Sequence, residues 1–312
     1  MASILGRTVL TLTLVLAGPA LALGDFEDGV SAYEQGDYDA ALREFRALAQ
    51  DGHAAAQTNL GVMHRKGLGV PRDDAAAARW FRRAAEQGFA NAQWALGVLY
   101  GEGSGVAQDA AEAAGWFQKA AEQDFAPAQV SLGLALAEGA GVPQDPARAV
   151  RWFRRAAEQG YAPAQYQLGV AYARGRGVAR DDVEAFEWFR KAARQGHAHA
   201  RYRLGVAYDQ GRGVTRDGAL AAEWYRKAAD QGVVAAQVNL GVLYTTGQGV
   251  ARDLVRAYAW FKVAAAASSG AGDGEAGRNL RLVAKRLSPD ERERAERLAA
   301  ELRETFVQLG GE

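Results

Sequence analysis

Cysteine is missing from all 312 residues, which excludes disulfides, thiolate metal sites and a lipidated cysteine as sources of stability or anchorage. An excess of charge is also missing: 37 Lys and Arg balance 37 Asp and Glu, and the signs alternate instead of gathering in blocks. A nucleic-acid partner requires a concentrated basic face, so none is expected. Only four histidines occur, His53, His64, His197 and His199. Long apolar runs are absent after the first 22 residues, and no membrane span is predicted there.

Those first 22 residues differ from the rest. Arg7 is their only charge, Thr8 to Gly18 is apolar apart from threonines, and Pro19-Ala20-Leu21-Ala22 supplies a small-x-small cleavage site. The apolar stretch falls short of the ~20 residues that span a bilayer, so the segment reads as a secretory signal cut near Ala22. The expected location is therefore periplasmic or secreted.

What the chain does have is one unit written six times. The frame begins at Ala54, Ala90, Ala126, Ala162, Ala198 and Val234, and a leucine-glycine pair recurs every 36 residues, from Leu60-Gly61 to Leu240-Gly241. Such a period marks a stacked array, in which each unit buries its apolar face only against its neighbours. Length then counts units, and one elongated domain is expected.

Two helices are predicted per unit. In the second, Ala77, Trp80, Phe81, Ala84 and Ala85 fall at the spacing of a core-facing stripe. An aspartate precedes it in every unit (Asp73, Asp109, Asp145, Asp181, Asp217, Asp253), placed to accept hydrogen bonds from the free N–H groups of the first turn. Gly88, Gly160, Gly196 and Gly232 close it in the left-handed conformation, with Asp124 as the non-glycine exception. The first helix of each unit carries small residues, Ala56 and Gly61 in the first copy. These let neighbouring helices approach, with the tryptophan expected to supply the bulk opposite.

The predicted organisation is a signal at 1–22, a degenerate N-terminal repeat or cap at 23–53, and six repeats at 54–89, 90–125, 126–161, 162–197, 198–233 and 234–267. A linker at 268–274 and a C-terminal helical cap at 275–312 follow. In the N-terminal cap, Ala41, Leu42, Phe45, Leu48 and Ala49 form the apolar stripe. In the C-terminal cap, Ser288-Pro289-Asp290-Glu291 reads as a helix start, with Ala295, Leu298, Leu302 and Phe306 facing inward.

Candidate chemistry is thin. The Gly-x-Gly-Val loops join helix to helix and lack the strand and the further glycine of a dinucleotide fingerprint, so they read as turns. The aspartate after each loop is a single carboxylate where calcium takes six to eight oxygens, and capping explains it. His197 and His199 flank Ala198, but with no third ligand in view they read as a water-exposed turn pair rather than a zinc site. No serine after the signal stands in a Gly-x-Ser-x-Gly or Ser-x-x-Lys setting. No cofactor, metal or catalytic residue is predicted, and the chain reads as a non-enzyme.

The strings Ala-Gln-x-x-Leu-Gly-Val-x-Tyr, Gly-x-Gly-Val-x-x-Asp and Trp-Phe-x-Lys-Ala-Ala-x-Gln-Gly, at this period, resemble the Sel-1-like repeat family, relatives of the tetratricopeptide repeats. The resemblance covers residues 54 to about 267, and weakly 25 to 53. It implies an all-α fold, a right-handed α/α superhelical solenoid of six helix-turn-helix repeats with helical caps at both ends, and a concave face used for protein–protein contacts. The closing Leu-Ser-Pro-Asp-Glu is similar to the tail of exported bacterial members. Some exported relatives pin each repeat with a disulfide, and this chain departs from that branch.

If the helices pack as in tetratricopeptide repeats, the positions where the six copies disagree carry the specificity. Trp94, Tyr166 and Tyr202 share one such position, two before the leucine, and are candidate aromatic anchors for an extended peptide or a glycan. Packing between consecutive first helices is the alternative for the same residues. Arg65 and Asp209 would meet the groove beside the loop, and Asn91 and His199 at its other end. The expected function is a scaffold, adaptor or regulator that binds an envelope protein or peptide. A peptidoglycan or glycan binder stands as the alternative, and a hydrolase, β-lactamase-like, stands third.

Overall fold

The fold follows from how each repeat closes its own turns, and a computed structural model describes it for residues 23–267 and 274–309. The expected signal, residues 268–273 of the expected linker, the last three residues and the side chain of Phe306 lie outside the described residues. Among the described residues there are sixteen helices and no strand. An N-terminal pair, α1 (Leu23–Glu34) and α2 (Tyr38–Gln50), precedes the repeats. The first three repeats supply α3 (Ala54–Lys66) and α4 (Asp74–Glu86), α5 (Ala90–Glu102) and α6 (Ala110–Glu122), α7 (Ala126–Glu138) and α8 (Pro146–Glu158). The last three supply α9 (Ala162–Arg174) and α10 (Asp182–Arg194), α11 (Ala198–Gln210) and α12 (Gly218–Ala229), α13 (Val234–Thr246) and α14 (Leu254–Ala267). Two closing helices follow, α15 (Glu275–Ala284) and α16 (Pro289–Leu309).

The chain groups into two compact units, the first ending at Gly160 and the second beginning at Tyr161. A repeat array has no core that spans it, because each pair of helices meets only its neighbours in sequence.

The predicted helix punctuation is present. Each aspartate caps its second helix: Asp73 accepts from the N–H of Ala76 at 2.8 Å, Asp145 from that of Arg148 at 2.9 Å, and Asp253 from that of Arg256 at 2.9 Å. A cap of this kind contributes about 1 kcal/mol. Asp124 takes the left-handed conformation at φ 64°, the non-glycine residue that does so among the described residues. Its carboxylate pairs with Arg155, which holds it below the usual carboxylate range. At the other end, Ser288 Oγ accepts from the N–H of Glu291, and the Glu291 carboxylate accepts from the N–H of Ser288, a reciprocal capping box that starts α16.

One expectation is corrected. The bulk opposite the small residues of the first helices comes from the phenylalanine after each tryptophan. A Cβ on Gly61 would sit 2.5 Å from the Phe81 ring, and one on Gly133 2.5 Å from Phe153; Tyr225 takes the same place beside Gly205, at 2.4 Å. Successive helical residues point about 100° apart, so Phe81 faces the core while Trp80 lies half-buried at its edge. A cation one turn on covers that edge ring in five repeats: Arg83, Lys119, Arg155, Lys191 and Lys227 lie 4.7, 3.9, 5.6, 3.8 and 4.5 Å from the tryptophan centroids. Both residues fit one stripe in the sequence, and only packing separates them.

The glycine loops also have a packing role. At Gly69, Gly105, Gly141, Gly213 and Gly249 the second glycine of the loop lies against the first turn of the preceding second helix. A Cβ on Gly105 would fall 2.1 Å from the Asp74 carbonyl oxygen, and one on Gly213 1.9 Å from that of Asp182. With φ at 69° in both, glycine is required twice over.

Buried glutamines bind successive helices. Gln57, Gln93 and Gln129 donate to the carbonyls of Ala49, Ala85 and Ala121, and accept from Gln87, Gln123 and Gln159. In the second unit Gln165 accepts from Gln195 and Gln237 donates to Ala229. Arg201 interrupts this series, with its Nε 3.4 Å from the Ala193 carbonyl, and Gln231 turns to the Gly196 carbonyl instead.

Candidate functional site

The first helices carry the candidate residues, and the two units present them differently. In the first unit, α3, α5 and α7 are buried along most of their length. Thr58, Trp94 and Val130 occupy the variable position, and all three are buried. Trp94 is 7% exposed, and its indole Nε1 donates to Ser131 Oγ at 3.0 Å. The ring also meets Phe125 edge-on, at 5.8 Å between centroids. Trp94 therefore ties α5 to α7 and presents no open ring face: the packing alternative describes it, and the exposed-anchor reading is corrected for this residue. A buried indole needs a partner for its N–H, and Ser131, which accepts from Trp94 and donates to the Pro127 carbonyl, is that partner.

In the second unit two of the three residues at the same position are partly open. Tyr166 on α9 and Tyr202 on α11 are half-buried, while Val238 on α13 is buried. One face of Tyr166 stacks on His197, with centroids 4.7 Å apart and planes 20° from parallel, and its ring also lies 5.9 Å from Phe189. Tyr202 rests on Tyr225 at 5.9 Å. Val170, Val206 and Val242, one turn further along α9, α11 and α13, are half-buried too. Tyr202 and Val238 also line a cleft of about 430 Å³ with Asn239 and the start of α15.

The remaining candidates divide similarly. Arg65 on α3 is held by Glu102 of α5 at 2.7 Å, a largely buried ion pair between consecutive first helices. Asn91 is half-buried in the first turn of α5. Asp209 is half-buried and lies 3.4 Å from the Tyr225 hydroxyl, whose pKa burial pushes well up. His199 is exposed, with its ring 6.2 Å from Tyr166. The structure thus gathers Tyr166 with His199, and Tyr202 with Tyr225 and Asp209, while Arg65 and Asn91 belong to the first unit.

The histidine pair is also corrected. His197 is not a water-exposed turn residue: it is the N-cap of α11, and its Nδ1 accepts from the N–H of Ala200 at 3.2 Å. His53 does the same for α3, accepting from Ala56 at 3.2 Å. Only a neutral imidazole offers an acceptor nitrogen, which assigns the proton to Nε2. Burial, and then the neighbouring His199, lower the His197 pKa to about 4.

The valine column carries no sequence signal of its own, because an apolar residue follows the Leu-Gly pair in all six copies, as stacking alone also requires. Ser131 gave a weak signal, as a hydroxyl in an otherwise apolar helix.

Comparison with known proteins agrees with this geometry. The model of the Sel1 repeat matches residues 54–89, 90–125, 126–161, 162–197, 198–233 and 234–269. Among solved structures, a Sel1 repeat protein from Oxalobacter formigenes is similar at 32% identity and TM-score 0.72, over 77% of this chain and 96% of that one. The protective antigen c5321 of uropathogenic Escherichia coli, which has the same kind of repeat fold, is similar at 33% identity and TM-score 0.56, over 92% of this chain and 71% of that one. No curated protein matches.

Proposed function

The chain belongs to the Sel1 repeat family, and on that premise we propose that it is a non-catalytic scaffold of the cell envelope that grips an extended peptide segment of a partner protein. Members of this family are generally scaffolds for protein–protein interaction. In this reading residues 1–22 direct export, and the adaptor works in the periplasm or outside the cell. The binding face is the first-helix side of the second unit.

The observation that carries the reading is the pair Tyr166 and Tyr202. Each ring is supported from below, by His197 and by Tyr225, and each keeps part of its surface in water. Aromatic rings already fixed by packing lose little freedom on binding, which is what makes them effective anchors. The valines at 170, 206 and 242 extend the apolar strip beside them, and His199 and Asp209 add polar contacts at its ends. One face of Tyr166 is taken by His197, so sandwich stacking on a sugar is less suited to it than an edge contact with a peptide.

The test is affinity capture from envelope extract with the wild type and with the double variant Tyr166→Ala/Tyr202→Ala, each checked for cooperative unfolding. Loss of the captured protein from a folded double variant is expected. Equal capture by both would overturn the assignment, and retention on isolated peptidoglycan in place of any protein would transfer the face to a glycan.

A further inference from the structure

A second surface lies in the first unit, on the second-helix side. A cleft of about 390 Å³ opens between α4 and the glycine loop that follows α5. Its floor includes Ala78, Gly105 and Val106, and its rim holds Arg79, Arg82 and Arg83 against the single carboxylate of Glu86.

The repeats themselves show what fits there. Three 36-residue periods after Ala78 stands Phe186, and three after Tyr100 stands Tyr208. In the fourth repeat Phe186 is 6% exposed and meets Tyr208 edge to face, with centroids 5.5 Å apart. In the first repeat alanine leaves that ring's place vacant, and Arg82 reaches across to donate to the Tyr100 hydroxyl. The third repeat has the same three rim arginines, Arg151, Arg154 and Arg155, but Val150 at the floor. The second and fifth keep alanine at the floor, Ala114 and Ala222, with a rim of Lys119 and Glu122 or one balanced by Glu223 and Asp230. Of these repeats, the first joins a small floor to a surplus of guanidinium.

We propose that this cleft docks an acidic peptide segment of a partner protein, which inserts one large apolar side chain where the fourth repeat places its own Phe186. The apolar side chain covers Ala78 and Gly105, and flanking carboxylates pair with Arg79, Arg82 and Arg83. Guanidinium suits this role because its planar donors match a carboxylate two at a time. The site is independent of the tyrosine face of the second unit.

Fluorescence anisotropy with a labelled Glu-Glu-Phe-Glu-Glu peptide tests it. Ala78→Phe supplies the ring from within, as the fourth repeat does, and is expected to weaken binding at least about tenfold. Arg79→Glu/Arg82→Glu should weaken it by a similar factor, as should replacing the peptide's phenylalanine with alanine, and added salt should weaken it progressively. Should Ala78→Phe fail to unfold cooperatively, the arginine variant decides alone. No binding to the wild type at millimolar peptide, equal binding of Lys-Lys-Phe-Lys-Lys, or unchanged binding in a folded Ala78→Phe or in the arginine variant would overturn the proposal. The double variant Tyr166→Ala/Tyr202→Ala should bind this peptide like the wild type, which separates the outcome here from that of the first surface.

Discussion

Trp94 and Tyr202 hold the same place in their repeats, yet one is interior and the other is partly surface. Trp94 finds an acceptor on the next first helix, Ser131, and its ring closes the space between α5 and α7. Counted the same 37 residues on, the residue in Ser131's place is Arg203 for Tyr166 and Asn239 for Tyr202, and the Asn239 side chain hydrogen-bonds Tyr225 instead. Ser131 accepts from the ring it covers, whereas Arg203 and Asn239 give Tyr166 and Tyr202 no such closure, and both tyrosines stay partly in water. The difference teaches that a variable column in a repeat protein is not a single face: each member's exposure depends on the residue that follows it in the next repeat.

The sharpest way to break the contrast is to truncate both rings. Trp94→Ala should cost about 3–5 kcal/mol, as for core aromatics, and Tyr202→Ala about 1–2 kcal/mol, because part of its area is already in water. Denaturant unfolding of the two variants measures this, and equal losses would erase the distinction between the units.

Acid should act on the open side. With the His197 pKa lowered from 6.5 to about 4, the unfolded chain binds more protons than the folded one between those values. Stability therefore falls as pH drops through that window and is unaffected by this group above it. The loss is on the order of 2 kcal/mol after allowance for partial exposure. His197→Phe copies the aromatic N-caps at Phe89 and Phe125, and should remove that part of the pH dependence from unfolding curves.

Ser131→Ala is the complementary change on the closed side. It leaves a buried indole N–H unpaired and should cost about 1–2 kcal/mol, whereas Ala207→Ser, in a first helix of the second unit, removes no partner from any tryptophan. Near-ultraviolet spectra together with thermal unfolding of Ser131→Ala would show whether the indole stays in place. The smallest effect belongs to the interrupted glutamine series. Arg201→Gln should let Gln231 pair as Gln195 does with Gln165, for a gain of about 0.5–1 kcal/mol in thermal stability; a loss would mean that Arg201 contributes more than the amide pair it displaces.

Much of this was legible before any coordinates. Asp73 and its five equivalents, the left-handed Asp124, the capping box at Ser288 and the stripe from Ala41 to Ala49 all follow from local rules that act within one or two turns. Assigning the bulk to Trp80 failed because Trp80 and Phe81 satisfy the same periodicity. The exposed turn assigned to His197 failed because a histidine acting as an N-cap has no distinct spelling. Neither the buried state of Trp94 nor the vacancy over Ala78 could be read from the repeat that contains it.

The sequence by itself determined that this is an all-α array of Sel1 repeats, where the second helix of each repeat starts, and which residues close it in the left-handed conformation. These depend on backbone conformation and on a period that six copies enforce. Tertiary structure alone decided which variable residues face water, because exposure is settled between helices, by the shape and hydrogen-bonding capacity of side chains 22 to 37 residues apart. That is why Tyr166 and Tyr202 remain available for a partner while Trp94, at the same place in the frame, does not.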